Sequence, residues 1–157
     1  MVNPVGRMIS EVDWAYLSGL FDGDGAIMAF VERHREKKFG FRVRVIIKVT
    51  QKDPKVLYWI KKKSGIGNVI KNRTTFECIV RDQKQIIFIL TQLGKYLRVK
   101  AKQATIALDI LHTDTSLYIN LEKMAKLADA LSEFNVRSKG RKKNFSTKIK
   151  EFIPRND

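Results

Sequence analysis

Residues 17–25 read Leu17-Ser18-Gly19-Leu20-Phe21-Asp22-Gly23-Asp24-Gly25, and the organisation of the chain turns on how this stretch is placed. Helical spacing fits residues 11–23, with Ser10 as N-cap and Glu11 and Asp13 in the first turn, where the helix dipole favours carboxylates. Val12, Tyr16 and Leu20 recur every four residues, as one buried stripe should. Ala15, Gly19 and Gly23 form a second stripe, of small residues. A glycine inside a helix costs about 1 kcal/mol relative to alanine, so two of them require compensation. Close approach of another backbone supplies it; fraying toward a glycine-rich end is the plainer alternative. Asp24 falls just past the expected helix end, where the dipole disfavours a carboxylate. An acid in that field, beside the accessible Gly23 carbonyl, is what a hard divalent cation needs. Gly-Asp-Gly alone also reads as a turn.

The surrounding 157 residues are strongly basic, with 31 Lys and Arg against 16 Asp and Glu, a formal charge of +15. Such a balance points to a polyanion, nucleic acid before an acidic membrane surface. Hydrophobic residues at 44% and aromatics at 10% argue against disorder. Cys78 is the sole cysteine and His34 and His112 the only histidines, which excludes a disulfide framework and a Cys/His zinc site. The longest purely apolar run, Ala26–Val31, is far short of a membrane span. Without an apolar signal core near the start, the expectation is a soluble intracellular protein, in cytoplasm or an organelle matrix, with no membrane partner. The charge is unevenly placed. Glu11, Asp13, Asp22 and Asp24 outweigh Arg7 in residues 1–24, whereas residues 32–55 sum to +6 and 137–150 contain seven bases and no acid.

Period-2 alternation over Phe39–Gln51 predicts a strand with a core face (Phe39, Phe41, Val43, Val45, Ile47, Val49) and a basic face (Arg42, Arg44, Lys48). Ala26–Arg35 pairs with it across a charged turn at 35–40. A helix starts at Asp53-Pro54, N-cap and N1 proline, and ends near Ser64-Gly65. Asn68–Arg73 and Thr75–Arg81 form a second hairpin. Further helices fit Gln83–Leu93, Lys100–His112 and Leu117–Phe134. Hairpins alternating with helices indicate an α+β domain with one sheet face covered and the basic face open. The whole of 1–157 is expected to be a single domain with a basic tail at 137–157, whose 137–144 stretch orders on binding.

The nonapeptide resembles the signature of the LAGLIDADG homing endonucleases. Val49-Thr50-Gln51-Lys52 and Leu97-Arg98-Val99-Lys100-Ala101-Lys102-Gln103-Ala104 resemble further landmarks of the single-motif, homodimeric group, so the similarity covers most of residues 11–144. Ser18 stands where the name-giving pattern has alanine, a change that keeps the residue small. The resemblance implies an αββαββα fold whose curved antiparallel sheet forms a DNA-binding saddle, with additional C-terminal helices. It further implies an intron-encoded, site-specific nuclease that binds a long pseudo-palindromic duplex and cuts one phosphodiester in each strand. With one signature per chain, the implied assembly is a homodimer in contact through Ala15, Gly19, Leu20 and Gly23. The two Asp24 carboxylates then lie close together; at ~5 Å they repel by roughly 3 kcal/mol at an effective dielectric near 20, and so demand cations. Mg²⁺ is the expected ion, held by Asp24 and Gly23, with Mn²⁺ as a substitute and Ca²⁺ binding without cleavage. Gln51 and Lys100 are implied to position water and stabilise the phosphorane, with Lys55 in the same pocket.

A two-stranded ribbon fits the DNA major groove. The expected reading set is Met28, Phe30, Glu32, His34 and Arg35 on the first strand and its turn. Arg42, Arg44, Ile46, Lys48 and Lys52 continue it on and after the second strand. Ile70, Asn72, Arg73, Thr74, Glu77 and Arg81 extend it on the second hairpin. Arg42, Arg44 and Lys48 are the guanine candidates, and Glu32 or Glu77 could accept from cytosine. Met28 and Phe30 stand where polar readers are usual. Lys139, Arg141, Lys142 and Lys143 read as phosphate anchors. The alternatives are an RNA-binding intron maturase or a non-cleaving DNA-binding relative, which a cleavage assay with and without Mg²⁺ separates.

Overall fold

The structure, a computed structural model, describes residues 3–135 and 144–152. Its elements run α1 (Glu11–Asp24), β1 (Gly25–Arg33), β2 (Phe41–Gln51), α2 (Lys55–Ser64), β3 (Asn68–Asn72) and β4 (Thr75–Val80). They continue with α3 (Gln83–Leu93), α4 (Ala101–His112), α5 (Tyr118–Phe134) and α6 (Phe145–Phe152). The strands form one antiparallel sheet in the order β1-β2-β4-β3. The architecture is therefore α+β, as the alternation of hairpins and helices predicts.

Local chemistry sets the boundaries. Ser10 accepts from the Asp13 N–H at 3.1 Å and starts α1. Asp24 is the last helical residue of α1, not one beyond it, and the next N–H, on Gly25, still reaches the Phe21 carbonyl. A Cβ on Gly25 would stand 2.5 Å from the Phe21 ring and carbonyl, so only glycine allows the chain to pass directly from helix to strand. At α2 the N-cap position is held by Pro54, but Asp53 Oδ1 still accepts the Lys55 N–H at 3.0 Å. Asp82 caps α3 through the Gln85 N–H at 2.8 Å.

Odd positions of β2 and even positions of β4 face the helices. Val45, Ile47, Val49, Cys78 and Val80 pack there with Ile27 and Ala29 of β1. Trp14, Leu17 and Phe21 of α1 join them, with Leu57, Ile86, Leu90, Ala104, Ala107 and Leu131 from the other helices. Each fully buried aliphatic side chain contributes roughly 1.5–3 kcal/mol.

Two further features differ from the sequence reading. Val12, Tyr16 and Leu20 are not the buried stripe of α1; Val12 is 79% and Tyr16 53% exposed, and Leu20 is half-buried. The buried positions are Trp14, Leu17, Ser18 and Phe21, on the opposite side, where Ser18 Oγ donates to the Trp14 carbonyl at 2.8 Å and the Leu93 carbonyl at 3.3 Å. The second difference is α6. Phe145, Ile149 and Phe152 recur at helical spacing, and Ile149 is fully buried in a satellite cluster with Phe41, Leu121 and Ala125 beneath the tip of the β1–β2 hairpin. Asp129 of α5 fixes the start of α6 by accepting from the Phe145 and Ser146 N–H groups at 2.6 and 3.1 Å. Among the described residues, no helix is long and apolar enough to cross a membrane.

Candidate active site and nucleic-acid interface

The register of β2 places Gln51 opposite Phe76, so its side chain belongs to the helix side of the sheet and not to the basic face. There it meets the end of α1, and Gln51 Nε2 donates to Asp24 Oδ2 at 2.6 Å. Asp24 itself is exposed. Lys100, at the N-cap position of α4, reaches the same turn and donates from Nζ to the Asp22 carbonyl oxygen. Residues far apart in sequence are thus gathered at one helix terminus: Asp24 and Gln51 are joined directly, and Lys100 lies against the turn that carries Asp24.

Asp22, which the sequence reading passed over, organises this corner. Its Oδ2 accepts the Arg98 N–H at 2.7 Å, and its Oδ1 accepts those of Val99 and Lys100 at 3.1 and 2.9 Å. Burial works to raise the Asp22 pKa, but the three N–H groups and the Lys100 charge outweigh it and hold the carboxyl below its ordinary value. Asp22 therefore caps α4 as an anion and fixes Lys100 from both its backbone and its ammonium. A signal was available: Asp22 and Asp24 lie about 200° apart on a helix, so one signature cannot send both acids to one site. Lys55, expected in the same pocket, follows Gln51 at the start of α2. It is 91% exposed and lies 3.9 Å from Asp53, its only ion-pair partner among the described residues.

The outer face of α1 carries Ala15, Gly19 and Gly23, all exposed. A Cβ built on Gly19 or Gly23 meets nothing within 4 Å, so no contact among the described residues offsets their helix cost. The exposed Val12 and Tyr16 lie on the same side, and Tyr16 makes an edge contact with Trp59 of α2 at 5.4 Å between ring centres.

The sheet face away from the helices carries most of the predicted reading set. Glu32 Oε2 accepts from Arg42 Nη2 at 2.8 Å and its Oε1 from Arg44 Nη2 at 3.0 Å. Hydrogen bonding from Arg42 is the main cause that holds the Glu32 carboxyl below its ordinary pKa. Glu77 accepts from Lys48 Nζ and, at 3.1 Å, from Asn72 Nδ2. Its pKa is lowered although burial acts against the shift, because the bonds from Lys48 and Asn72 outweigh it. Ile46 and Glu77 are 7% and 6% exposed, less accessible than their alternation implies, because neighbours on the same face cover them. Both oxygens of Glu32 likewise already accept from an arginine, so a cytosine amine would have to share an oxygen with one of them.

Met28, Phe30, Arg42, Arg44 and Lys48 are partly exposed; Arg35, Lys52, Ile70, Asn72, Arg73, Thr74 and Arg81 are exposed. His34 and Arg35 lie in the hairpin turn, closed by the His34 N–H to the Gly40 carbonyl at 2.8 Å. Arg73 turns the β3–β4 hairpin with φ of 54°. Lys139, Arg141, Lys142 and Lys143 lie outside the described residues.

Comparison with known proteins bears on the same arrangement. DNA endonuclease I-CreI from Chlamydomonas reinhardtii is 33% identical over 98 residues, which span 61% of this chain and 60% of that protein. The homing endonuclease I-CvuI, solved with the I-CreI target in magnesium with the DNA not cleaved, superposes with a TM-score of 0.78 at 28% identity, covering 90% of this chain and 92% of that one. An archaeal intron-encoded homing endonuclease, I-Vdi141I complexed with DNA, shares the fold at a TM-score of 0.76 and 20% identity, over 90% of this chain and 97% of its own. The LAGLIDADG endonuclease family matches residues 17–109, from the first residue of the nonapeptide through Gln51 and Lys100 into α4. With more than half of its length matched across the turn where Asp24, Gln51 and Lys100 gather, this chain belongs to the LAGLIDADG endonuclease family.

Proposed function

We propose that the chain is a site-specific homing endonuclease that binds a long pseudo-palindromic DNA duplex as a homodimer and hydrolyses one phosphodiester in each strand with Mg²⁺. The observation that carries this reading is the Asp24–Gln51 pair, 2.6 Å apart, at the end of a helix whose outer face leaves backbone open at Gly19 and Gly23.

The residues present suit a hard divalent cation. Asp24 is exposed, its Oδ1 is not used by Gln51, and the terminal carbonyls of α1, Gly23 among them, are oxygen donors in a negative field. Among the described residues, no three Asp, Glu, His or Cys side chains come together, and Asp22 is committed to the α4 cap. One chain therefore offers one carboxylate. A second copy packed through Ala15, Gly19, Leu20 and Gly23, with Val12 and Tyr16 at the margin, would bring a second Asp24 to the same axis. I-CvuI has been solved with DNA in Mg²⁺ and in Ca²⁺, in keeping with a divalent requirement in this family. Mn²⁺ should replace Mg²⁺, and Ca²⁺ should support binding alone.

When bound, the cation supplies Lewis-acid stabilisation of phosphate oxygens and a lowered water pKa. The chain supplies the rest. Asp24 would supply the negative charge that holds the ion. Gln51 anchors its amide nitrogen on Asp24, which leaves its carbonyl oxygen free to orient a water. Lys100, fixed by Asp22, places an ammonium where the phosphorane accumulates charge. The duplex would lie along the open sheet face, with Arg42, Arg44 and Lys48 toward base edges and the tail bases 139–143 on phosphates.

The test is selection of cleaved sites from a randomised duplex library, with Mg²⁺ and with EDTA. The expected result is a palindromic consensus that appears only with the metal. Recovery of bound but uncut DNA in Mg²⁺ would favour a non-cleaving relative, and preference for RNA a maturase.

A further inference from the structure

Strand register sets Glu32 directly across from Arg42, with Arg44 two residues further along the same face. One carboxylate thereby holds two guanidinium groups, one on each oxygen, at 2.8 and 3.0 Å. The three side chains are between 28% and 37% exposed, so they sit at the surface but are tied down. The Nε of each arginine is covered by protein and has no hydrogen-bond partner among the described residues, so Glu32 is the group seen to fix both forks. Among the described residues, Nη1 of neither arginine is hydrogen-bonded, and neither is sealed from solvent. The cluster keeps a net charge of +1 and presents two free guanidinium edges.

We propose that Glu32 is a positioning residue for base readout, which touches no base itself and locks Arg42 and Arg44 into one reader of two guanines in each half-site. This rests on the proposed DNA-cleaving function. A guanidinium edge matches the O6 and N7 acceptors of guanine, whereas adenine sets a donor beside N7. An arginine already tied at a carboxylate loses less freedom on meeting a base than a loose one. The same carboxylate repels phosphates and opposes the move of either arginine onto the backbone, where it would bind any sequence. Residues two apart along a strand stand about 6.8 Å apart, which matches two base-pair steps of about 3.4 Å. The two guanines therefore lie within three consecutive base pairs.

The experiment compares base preference at every position of the selected site for wild type, Glu32→Ala, Glu32→Gln, Arg42→Ala, Arg44→Ala, the variant with both arginines changed to alanine, and the triple alanine variant. Thermal melts confirm that each variant folds. Each arginine variant should lose discrimination for guanine at one position, by roughly 5- to 100-fold. Glu32→Ala should lose it at both positions at once. Its binding to non-specific DNA should strengthen, and the slope of log K against log salt should steepen by about 0.9 for each arginine released to a phosphate. Glu32→Gln, which keeps the shape and one acceptor, should restore part of the preference. In the background lacking both arginines, Glu32→Ala should change no base preference further. Selectivity at both guanines unchanged in Glu32→Ala, or a loss confined to a third, cytosine position, overturns this inference while the nuclease reading stands. Failure of the wild-type chain to select any DNA site overturns both.

Discussion

Gly19→Ala should act in opposite directions on the isolated chain and on its assembly. Gly19 lies inside α1, is exposed, and has no atom within 4 Å of an added Cβ. Its φ is not among the positive ones, so alanine is accommodated without strain. The substitution should then stabilise the single chain by about 1 kcal/mol through helix propensity, a rise in Tm of about 2–4 °C for a chain of this size. At a two-fold contact of bare helix backbones, the same methyl enters twice. Overpacking costs about 1–3 kcal/mol per group, so the dissociation constant of the dimer should rise at least about thirtyfold. Sedimentation across a concentration series measures the second effect, and urea unfolding at concentrations where the variant is monomeric measures the first. A dimer as tight as wild type would refute the placement of the interface on the glycine face. A less stable monomer would refute the claim that Gly19 is free of contacts within the chain.

Asp22→Asn should leave the α4 cap without its anion and loosen Lys100, lowering the cleavage rate more than DNA affinity in single-turnover assays. It also carries a pH signature. The folded Asp22 pKa is depressed, so its stabilisation is present above the unfolded value, near 3.8, and is lost as pH falls through the lower folded value. Wild type should lose stability more steeply than the asparagine variant as pH falls below about 4; parallel acid curves would show that the cap contributes nothing. Ile149→Ala, at a fully buried position of α6, should cost about 2–5 kcal/mol in urea unfolding, and a loss under about 0.5 kcal/mol would mean that α6 does not pack beneath the hairpin.

Much of the fold was legible because period-2 alternation and cap chemistry are local. The helix expected over Gln83–Leu93 matches α3 at both ends, and the structure adds Asp82 as its cap. The buried face of α1 was not legible, since Val12, Tyr16 and Leu20 compete with Trp14, Leu17 and Phe21 on a helix apolar on two sides. Periodicity reports that a face avoids water and not whether its own chain covers it. The helix over 145–152 was hidden in a basic stretch, although Asn144 followed by Phe145, Ile149 and Phe152 gives a cap and a stripe; Asn144 Oδ1 does accept the Thr147 N–H, at 3.3 Å. On the sheet, alternation assigned Ile46 and Glu77 to the open face but is blind to the neighbours that cover them. At the site, the helix-end chemistry singled out Asp24, and the family resemblance implied Gln51 and Lys100. It missed Asp22, whose partners are backbone groups more than seventy residues away.

Cleavage by two chains through Asp24 is tested most directly on the duplex recovered by selection, incubated in Mg²⁺ with wild type and with Asp24→Asn, while sedimentation counts chains per duplex. Two chains should sit on each duplex in both cases; wild type should cut both strands, and the asparagine variant should bind and cut neither. One chain per duplex, or cleavage retained without the Asp24 carboxylate, would contradict it.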